Sequence, residues 1–414
     1  MRRLNFLKRV AFVGGLLVFG AFAYITAVRL AYTMIYACVL LVGGAWLASR
    51  LAGGRLRLER TGESGAYQVG ERIRENFTLR NPGWLGLAWV EAVDRADIPG
   101  YDPGRVVTVA RRGSRSWTAE GILTARGRYL LGPMEVVSGD ALGMFRHARR
   151  FPGEAAITVY PRLVDVAALV PEAGLTLGDA VVAGRHIDLP PDTYGIREYD
   201  PSDGYNRIHW PSTARLGRPM SRSFEKLEGS ELLLVLDLQR GNHRGHGEVS
   251  TLEYAMSLAA SITVAALASG QNVALLGNDA AETVIPAGRG GHQLRRVLDF
   301  LAVGAADGER PLEQLLRRIA LGAGQQSIVL ITPRAEGEWV DRVVALGRGA
   351  GAQATVLQLD GESFTPGRSA RDAAPRARLV GERLRWHTIG AGHPAFRGEL
   401  EEVRLPMGMA EAVA

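Results

Sequence analysis

Two uninterrupted apolar runs open the chain. Val10–Val28 and Leu30–Ala48 each hold 19 residues without a charge, and only Arg29 separates them. At ~1.5 Å rise per residue each run spans about 28 Å, close to the hydrocarbon thickness of a bilayer. One continuous helix would leave Arg29 at mid-membrane, at a cost of roughly 2.5–3.5 kcal/mol. A hairpin moves Arg29 to an interface, so residues 1–50 are predicted to form a transmembrane helical hairpin with two spans. A cleaved signal peptide also begins with basic residues, but its apolar core is shorter and no second span follows it.

Beyond residue 55 the pattern shortens. Ile73–Leu79, Leu87–Val93, Val106–Ala110, Ser116–Leu123, Tyr129–Val137 and Ala156–Tyr160 read as strands. Turn residues lie between them at Asn81-Pro82-Gly83, Pro99-Gly100, Asp102-Pro103-Gly104, Arg126-Gly127 and Ser138-Gly139-Asp140. Short strands at this spacing predict a β-sandwich over residues 55–165. Residues 166–230 read as a connector with one dense polar stretch. The period then changes again. Leu232–Leu238 is continuously apolar, as a strand buried on both faces requires. Val249–Ser269 reads as a long buried helix, with Ser250 and Glu253 at capping-box spacing. Strands follow at Asn272–Gly277, Ser327–Thr332, Ala354–Leu359 and Leu384–Ile389. Helices fall at Gln293–Val303, Pro311–Leu321, Glu338–Gly349 and Phe396–Val403, with a loop over 361–378. The alternation predicts a doubly wound α/β domain over residues 231–403, and residues 404–414 form a C-terminal tail.

Charge sharpens the first of these readings. The formal net charge is +6, but residues 1–60 carry nine basic groups against Glu59 alone, so the remainder is slightly acidic. Arg2, Arg3, Lys8 and Arg9 precede the first span; Arg50, Arg55 and Arg57 follow the second. The positive-inside rule therefore predicts both ends of the hairpin, and all that follows, on the cytoplasmic face of the cell membrane. Because the positive charge flanks apolar segments, nucleic-acid binding is not expected. Cys38 is the only cysteine, which excludes an internal disulfide.

Three stretches resemble the bacterial family known as domain of unknown function 58. The most specific runs Arg197-Glu198-Tyr199-Asp200-Pro201-Ser202-Asp203-Gly204-Tyr205-Asn206-Arg207-Ile208-His209-Trp210, followed by Ala214-Arg215. The second runs from Arg126-Gly127-Arg128-Tyr129 to Gly143-Met144-Phe145, and the third is Val159-Tyr160-Pro161-Arg162. The resemblance implies a membrane-anchored protein whose C-terminal domain is similar to a von Willebrand factor A domain. It also implies partners: a MoxR-type AAA+ ATPase and a transglutaminase-like membrane protein. The implied role is that of a non-enzymatic scaffold or adaptor in assembling or remodelling cell-envelope complexes, and no cofactor is expected.

The candidate residues fall in two places. In the polar stretch, Arg197, Glu198, Tyr199, Asp203, Arg207, His209, Trp210 and Arg215 are expected to lock or dock the connector. The alternative is a hydrolase in which His209 is the general base, oriented by Glu198 or Asp203. No Gly-x-Ser-x-Gly elbow or phosphate loop accompanies them. The second place is the A-domain metal position, where the resemblance implies Asp-x-Ser-x-Ser plus a Thr and an Asp. Here Asp237 stands first, but Gln239 and Gly241 replace the serines, and Pro333 follows Thr332 where an Asp would fall. Lost oxygen ligands weaken a site for a hard ion. Asp237 is therefore expected to act as a structural cap, with metal-dependent adhesion the alternative. Gly288-Arg289-Gly290-Gly291 is expected to be a flexible connection, and His243 and His246 to be solvated.

Overall fold

The computed structural model describes residues 14–15, 17–25, 29–53, 55–62, 65–96, 98–139, 145–152, 155–170, 194–198, 213, 215, 217–218, 220–224, 231–319, 326–348, 353–365 and 384–396. Two compact units divide the chain, Met1–Val159 and Tyr160–Ala414.

In the first unit, residues 17–25 are helical, and helix α1 spans Arg29–Gly53. The ends of the first predicted span and the turn before Arg29 lie outside the described residues. Along α1 the stretch Arg29–Leu47 is long and apolar enough to cross a membrane, and only 6% of it is buried. Leu30, Leu40 and Leu41 all point outward.

Ten strands follow: β1 (Arg57–Gly62), β2 (Ala66–Gln68), β3 (Arg72–Arg80), β4 (Leu87–Asp94), β5 (Arg105–Val109), β6 (Ser114–Ile122), β7 (Gly127–Leu131), β8 (Met134–Gly139), β9 (Arg146–Phe151) and β10 (Ala155–Tyr160). They form sheets of order β1-β3-β6, β2-β10-β7 and β5-β4-β8-β9. The first and third are antiparallel throughout. Strict alternation along β3 turns Ile73, Phe77 and Leu79 into a core shared with Val90, Trp117, Val136 and Ile157. Phe77 stacks on Trp117 with centroids 5.4 Å apart.

The same alternation buries Glu75, which must therefore be paired. Arg60 binds it at both carboxylate oxygens, at 2.8 and 2.6 Å, and reaches Asp94 at 3.2 Å. The Tyr101 hydroxyl also donates to Glu75. Burial, reinforced by Glu75, holds that hydroxyl far above the ordinary phenol range. Burial opposes the Arg60 charge, but Glu75 and Asp94 outweigh it and raise the guanidinium pKa. Tyr101 thus stays a neutral donor and Arg60 stays charged.

Two sequence expectations change here. The run Tyr129–Val137 is two strands, β7 and β8, interrupted at Gly132 (φ 89) and Pro133, which supplies no backbone N–H for pairing. Strands β1, β2 and β9 are not among the expected ones: charged residues hide the alternation in β1 and β9, and β2 is only three residues long.

The second unit contains β11 (Tyr194–Glu198) paired antiparallel with β12 (Met220–Phe224), so the region read as a connector holds a strand pair. The elements that follow are β13 (Glu231–Leu236), β14 (Gly245–His246), β15 (Val249–Ser250), α2 (Thr251–Ala268), β16 (Asn272–Gly277), β17 (Val284–Gly288), α3 (Gly290–Val303), α4 (Leu312–Arg317), β18 (Gln326–Thr332), α5 (Trp339–Arg348), β19 (Gln353–Leu359) and β20 (Leu384–Ile389). Six strands form one sheet of order β17-β16-β13-β18-β19-β20. All neighbours are parallel except β17, which runs antiparallel to β16 at one edge. This is a C-terminal α/β region with a mostly parallel sheet.

Central strand β13 is buried at every position but its first. Helix α2 packs beside the sheet, and Ser250 caps it by accepting from Glu253 N at 3.2 Å. The stretch Gly288–Gly291 is the end of β17 and the first turn of α3 rather than a free connection. Of the helix expected at Phe396–Val403, Phe396 closes the 3₁₀ turn Pro394–Phe396 and residues 397–403 lie outside the described residues.

Candidate functional site

Order reverses in the six-stranded sheet between β13 and β18. From β13 the chain proceeds outward through β16 and β17; from β18 it proceeds the other way through β19 and β20. The connections that leave the carboxyl ends of two such strands run in opposite directions, and the space between them is the usual binding place in open α/β sheets. Asp237 follows β13, Thr332 ends β18, and Asn278 follows β16. All three are buried, with Asp237 only 1% exposed.

The Thr332 hydroxyl donates to Asp237 Oδ2 at 2.8 Å. Asn278 Nδ2 and the Gln239 backbone N–H both address Oδ1, at 3.2 and 3.3 Å. The orientation of the Asn278 amide is fixed on both sides: its Oδ1 accepts from Leu238 N at 2.5 Å, and its Nδ2 also donates to Arg310 O at 2.9 Å. A buried carboxylate demands such donors, and here they close around it from three strands. Thr332 in turn accepts from Arg334 N at 3.1 Å.

The loop after β13 is equally committed. Arg240 N donates to Gly308 O at 2.8 Å, and Gly308 N returns a bond to Leu238 O at 3.1 Å. A Cβ at Gly308 would lie 1.6 Å from Asn278 O, so the close backbone approach requires glycine. His243, expected to be solvated, instead bridges two elements. Its Nε2 lies 2.8 Å from Asp237 O and its Nδ1 3.1 Å from Thr251 Oγ1. His246 is exposed. At the rim, Arg334 Nη1 contacts both Glu313 oxygens, at 3.0 and 3.2 Å. Partial burial disfavours the Glu313 charge, but its own backbone N–H at the start of α4, Arg334 and the Trp339 N–H at the start of α5 outweigh it and lower its pKa.

These contacts decide whether the residues present suit a divalent cation. N–H donors take both lone pairs of Oδ1, and the Thr332 hydroxyl takes one of the two on Oδ2. A hard cation needs several oxygen lone pairs converging on one point, and with one left on Asp237 the arrangement does not fit such an ion. Among the described residues, no group of three or more His, Cys, Asp or Glu side chains could hold a metal ion.

Asp237 and Thr332 are thus brought together, 95 residues apart in sequence. Asn278 and His243 complete the network. Asn278 could have been suspected from its place one residue beyond a parallel strand; nothing in the sequence marks His243. Of the polar stretch, Arg197 and Glu198 lie on β11, whose backbone pairs them with Ser221 and Met220 of β12. Arg215 is exposed. Tyr199, Asp203, Arg207, His209 and Trp210 lie outside the described residues.

Comparison with known proteins takes this geometry further in one respect. Residues 195–331 match the family described as Protein of unknown function DUF58. The match begins on β11 and ends in β18, so it takes in the polar stretch, Asp237 and Asn278. Across a wider region the chain is 22% identical over 299 residues to the uncharacterized protein YeaD of Bacillus subtilis (strain 168), covering 70% of this chain and 72% of the relative. Solved structures are only remotely similar. The CARDB domain of the PF1109 protein from Pyrococcus furiosus is 14% identical, over 25% of this chain and 86% of that domain, with a TM-score of 0.19. A chain of the human seminal plasma complex of Zinc 2-glycoprotein and Prolactin inducible protein is 7% identical, over 25% and 92% respectively, with a TM-score of 0.20. Similarity of that order assigns nothing here.

Proposed function

We propose that this protein is a membrane-anchored, non-enzymatic scaffold. In this reading the N-terminal hairpin spans the membrane twice and leaves both ends in the cytoplasm. The antiparallel sheets of the first unit form a sandwich that acts as a spacer. The second unit is a von Willebrand factor A-like domain that docks a partner without a metal ion. The observation that carries the reading is the commitment of Asp237 to three internal donors, Thr332, Asn278 and the Gln239 N–H, which take three of its four lone-pair sites. A switch-point carboxylate committed to internal donors rigidifies the crevice rather than offering a ligand there. The sheet order and its single antiparallel edge strand support the A-like assignment.

The partner we propose is a MoxR-type AAA+ ATPase, with a transglutaminase-like membrane protein as a second component, in the assembly or remodelling of cell-envelope complexes. Resemblance of the Arg197–Trp210 stretch motivates it, and the match of residues 195–331 to DUF58 supports that resemblance. The test is affinity purification of the tagged full chain from native membranes, with and without ATP. Co-purification of an AAA+ ATPase, retained when Mg²⁺ is chelated in the nucleotide-free sample, is expected. Recovery of no ATPase in either condition would overturn the proposal.

A further inference from the structure

The edge strand β9 reads Arg146-His147-Ala148-Arg149-Arg150-Phe151 and carries no acidic residue. Arg146, Arg149 and Arg150 are all exposed. A charged edge strand discourages sheet-to-sheet pairing, and that alone would account for one or two arginines. Position is what distinguishes this strand. Helix α1 packs beside β8 and β9, and Arg149 Nη1 donates to the carbonyl of Leu56 at 2.7 Å. Leu56 lies three residues beyond the end of α1 and is itself buried. The arginine strand is therefore fastened to the point where the apolar helix ends.

That end carries the features of an interface. Trp46 is half exposed, and the Arg50 guanidinium lies 5.6 Å from its ring centroid. Tryptophan and arginine are enriched where a span meets headgroups. Two ring contacts fix the β9 guanidinium groups in place. Arg146 lies over Trp89, 5.3 Å from the ring centroid, and Arg149 over Phe151 at 5.0 Å. Behind Arg150 a cavity of about 510 Å³ is lined by Arg95, Pro133, Glu135 and Ala148. Its one carboxylate, Glu135, is paired with Arg95 at 2.6 Å.

We infer that β9 is a lipid-contacting edge, which seats the first unit on the anionic phosphate headgroups of the leaflet from which α1 emerges. The inference rests on the membrane-anchored reading and adds an orientation to it. Guanidinium groups bind phosphate oxygens in a fork geometry. An arginine held near an anionic surface raises surface residence by about fivefold, and the effect decays within a Debye length.

The test uses the full chain in nanodiscs of neutral phosphatidylcholine, or of the same lipid with phosphatidylglycerol. Cys38→Ser removes the native thiol, and Ala148→Cys carries a fluorophore on β9. Quenching by a headgroup-linked nitroxide lipid reports contact. The expected result is several-fold stronger quenching in anionic discs at low salt, which falls to the neutral-disc level at high salt. Arg146→Glu with Arg150→Glu should abolish the difference while incorporation into discs stays unchanged; Arg149 is left in place because it holds Leu56. The salt comparison on the parent protein stands even if that variant misfolds. Equal quenching in the two disc types overturns this inference alone. Failure of the chain to enter either disc overturns the anchored reading and this inference with it.

Discussion

Helices α1 and α2 are both long and apolar enough to cross a membrane, yet 6% of the first apolar window is buried and 83% of the second. The difference lies in what each polar group and each small side chain has to touch. Along α2, alanines at 255, 259, 260, 265 and 266 are buried and permit close packing in the second unit. Its hydroxyls are spent inside: Ser261 donates to Ser257 O at 2.7 Å and accepts from Val164 N at 2.8 Å, while Thr263 donates to Ala259 O at 2.7 Å. Along α1, leucine, valine and tyrosine side chains project outward. Such a surface calls for a hydrocarbon phase or another apolar surface against it. Hydropathy cannot separate the two helices, whereas the flanks and the partners do.

The sharpest way to break the comparison is to place the same cation in each helix. Ala259→Arg in α2 buries an unpaired charge at a position with no exposure. It should cost more than about 4–5 kcal/mol, so the second unit should fail to fold; loss of a cooperative melting transition checks this. Leu40→Arg in α1, at a side chain 75% exposed, should leave that melting transition unmoved in detergent. It should instead lower membrane insertion by roughly 2.5–3.5 kcal/mol, read as the inserted fraction.

Polar groups sharpen the same contrast between committed and uncommitted surfaces. Asp237→Ala removes the acceptor that Thr332 and Asn278 address and should destabilise the second unit by about 2–3 kcal/mol in chemical denaturation. Adding Mg²⁺ to the parent protein should shift its melting temperature by nothing measurable, and a dose-dependent rise would restore the metal reading. The smallest effect belongs to the partly exposed Glu313–Arg334 pair, worth up to about 1 kcal/mol. Because the folded Glu313 pKa is lowered, its contribution is whole above the ordinary carboxylate range. It is lost as pH falls through the folded value. Arg334→Ala should therefore destabilise at neutral pH and become indistinguishable from the parent in acid.

How much of this was legible in the sequence depended on whether burial was one-sided. The largely buried strands β13, β18 and β19 stand out as mainly apolar runs, and β16 and β20 begin and end where the pattern changes. Within the first unit, β3 and β4 alternate well enough to be seen. Strand β9 did not register, since three of its six residues are arginines and none of the three marks a core face. Strand β17 was missed because Pro286, Ala287 and Gly288 give it a weak pattern at a sheet edge. At the candidate site, Asp237 and Thr332 were visible through the family resemblance. Asn278 was not, because its bond to Leu238 comes from parallel pairing across 40 residues, and His243 was not, because it reaches Asp237 and Thr251, six and eight residues away, through a loop with no repeating pattern.

Everything proposed for this protein depends on α1 lying in lipid. Membranes from cells expressing the full chain, washed with alkaline carbonate and then sedimented, test that directly. The account predicts that the protein stays in the pellet and is released only by detergent. Recovery of the intact chain in the carbonate supernatant would contradict it.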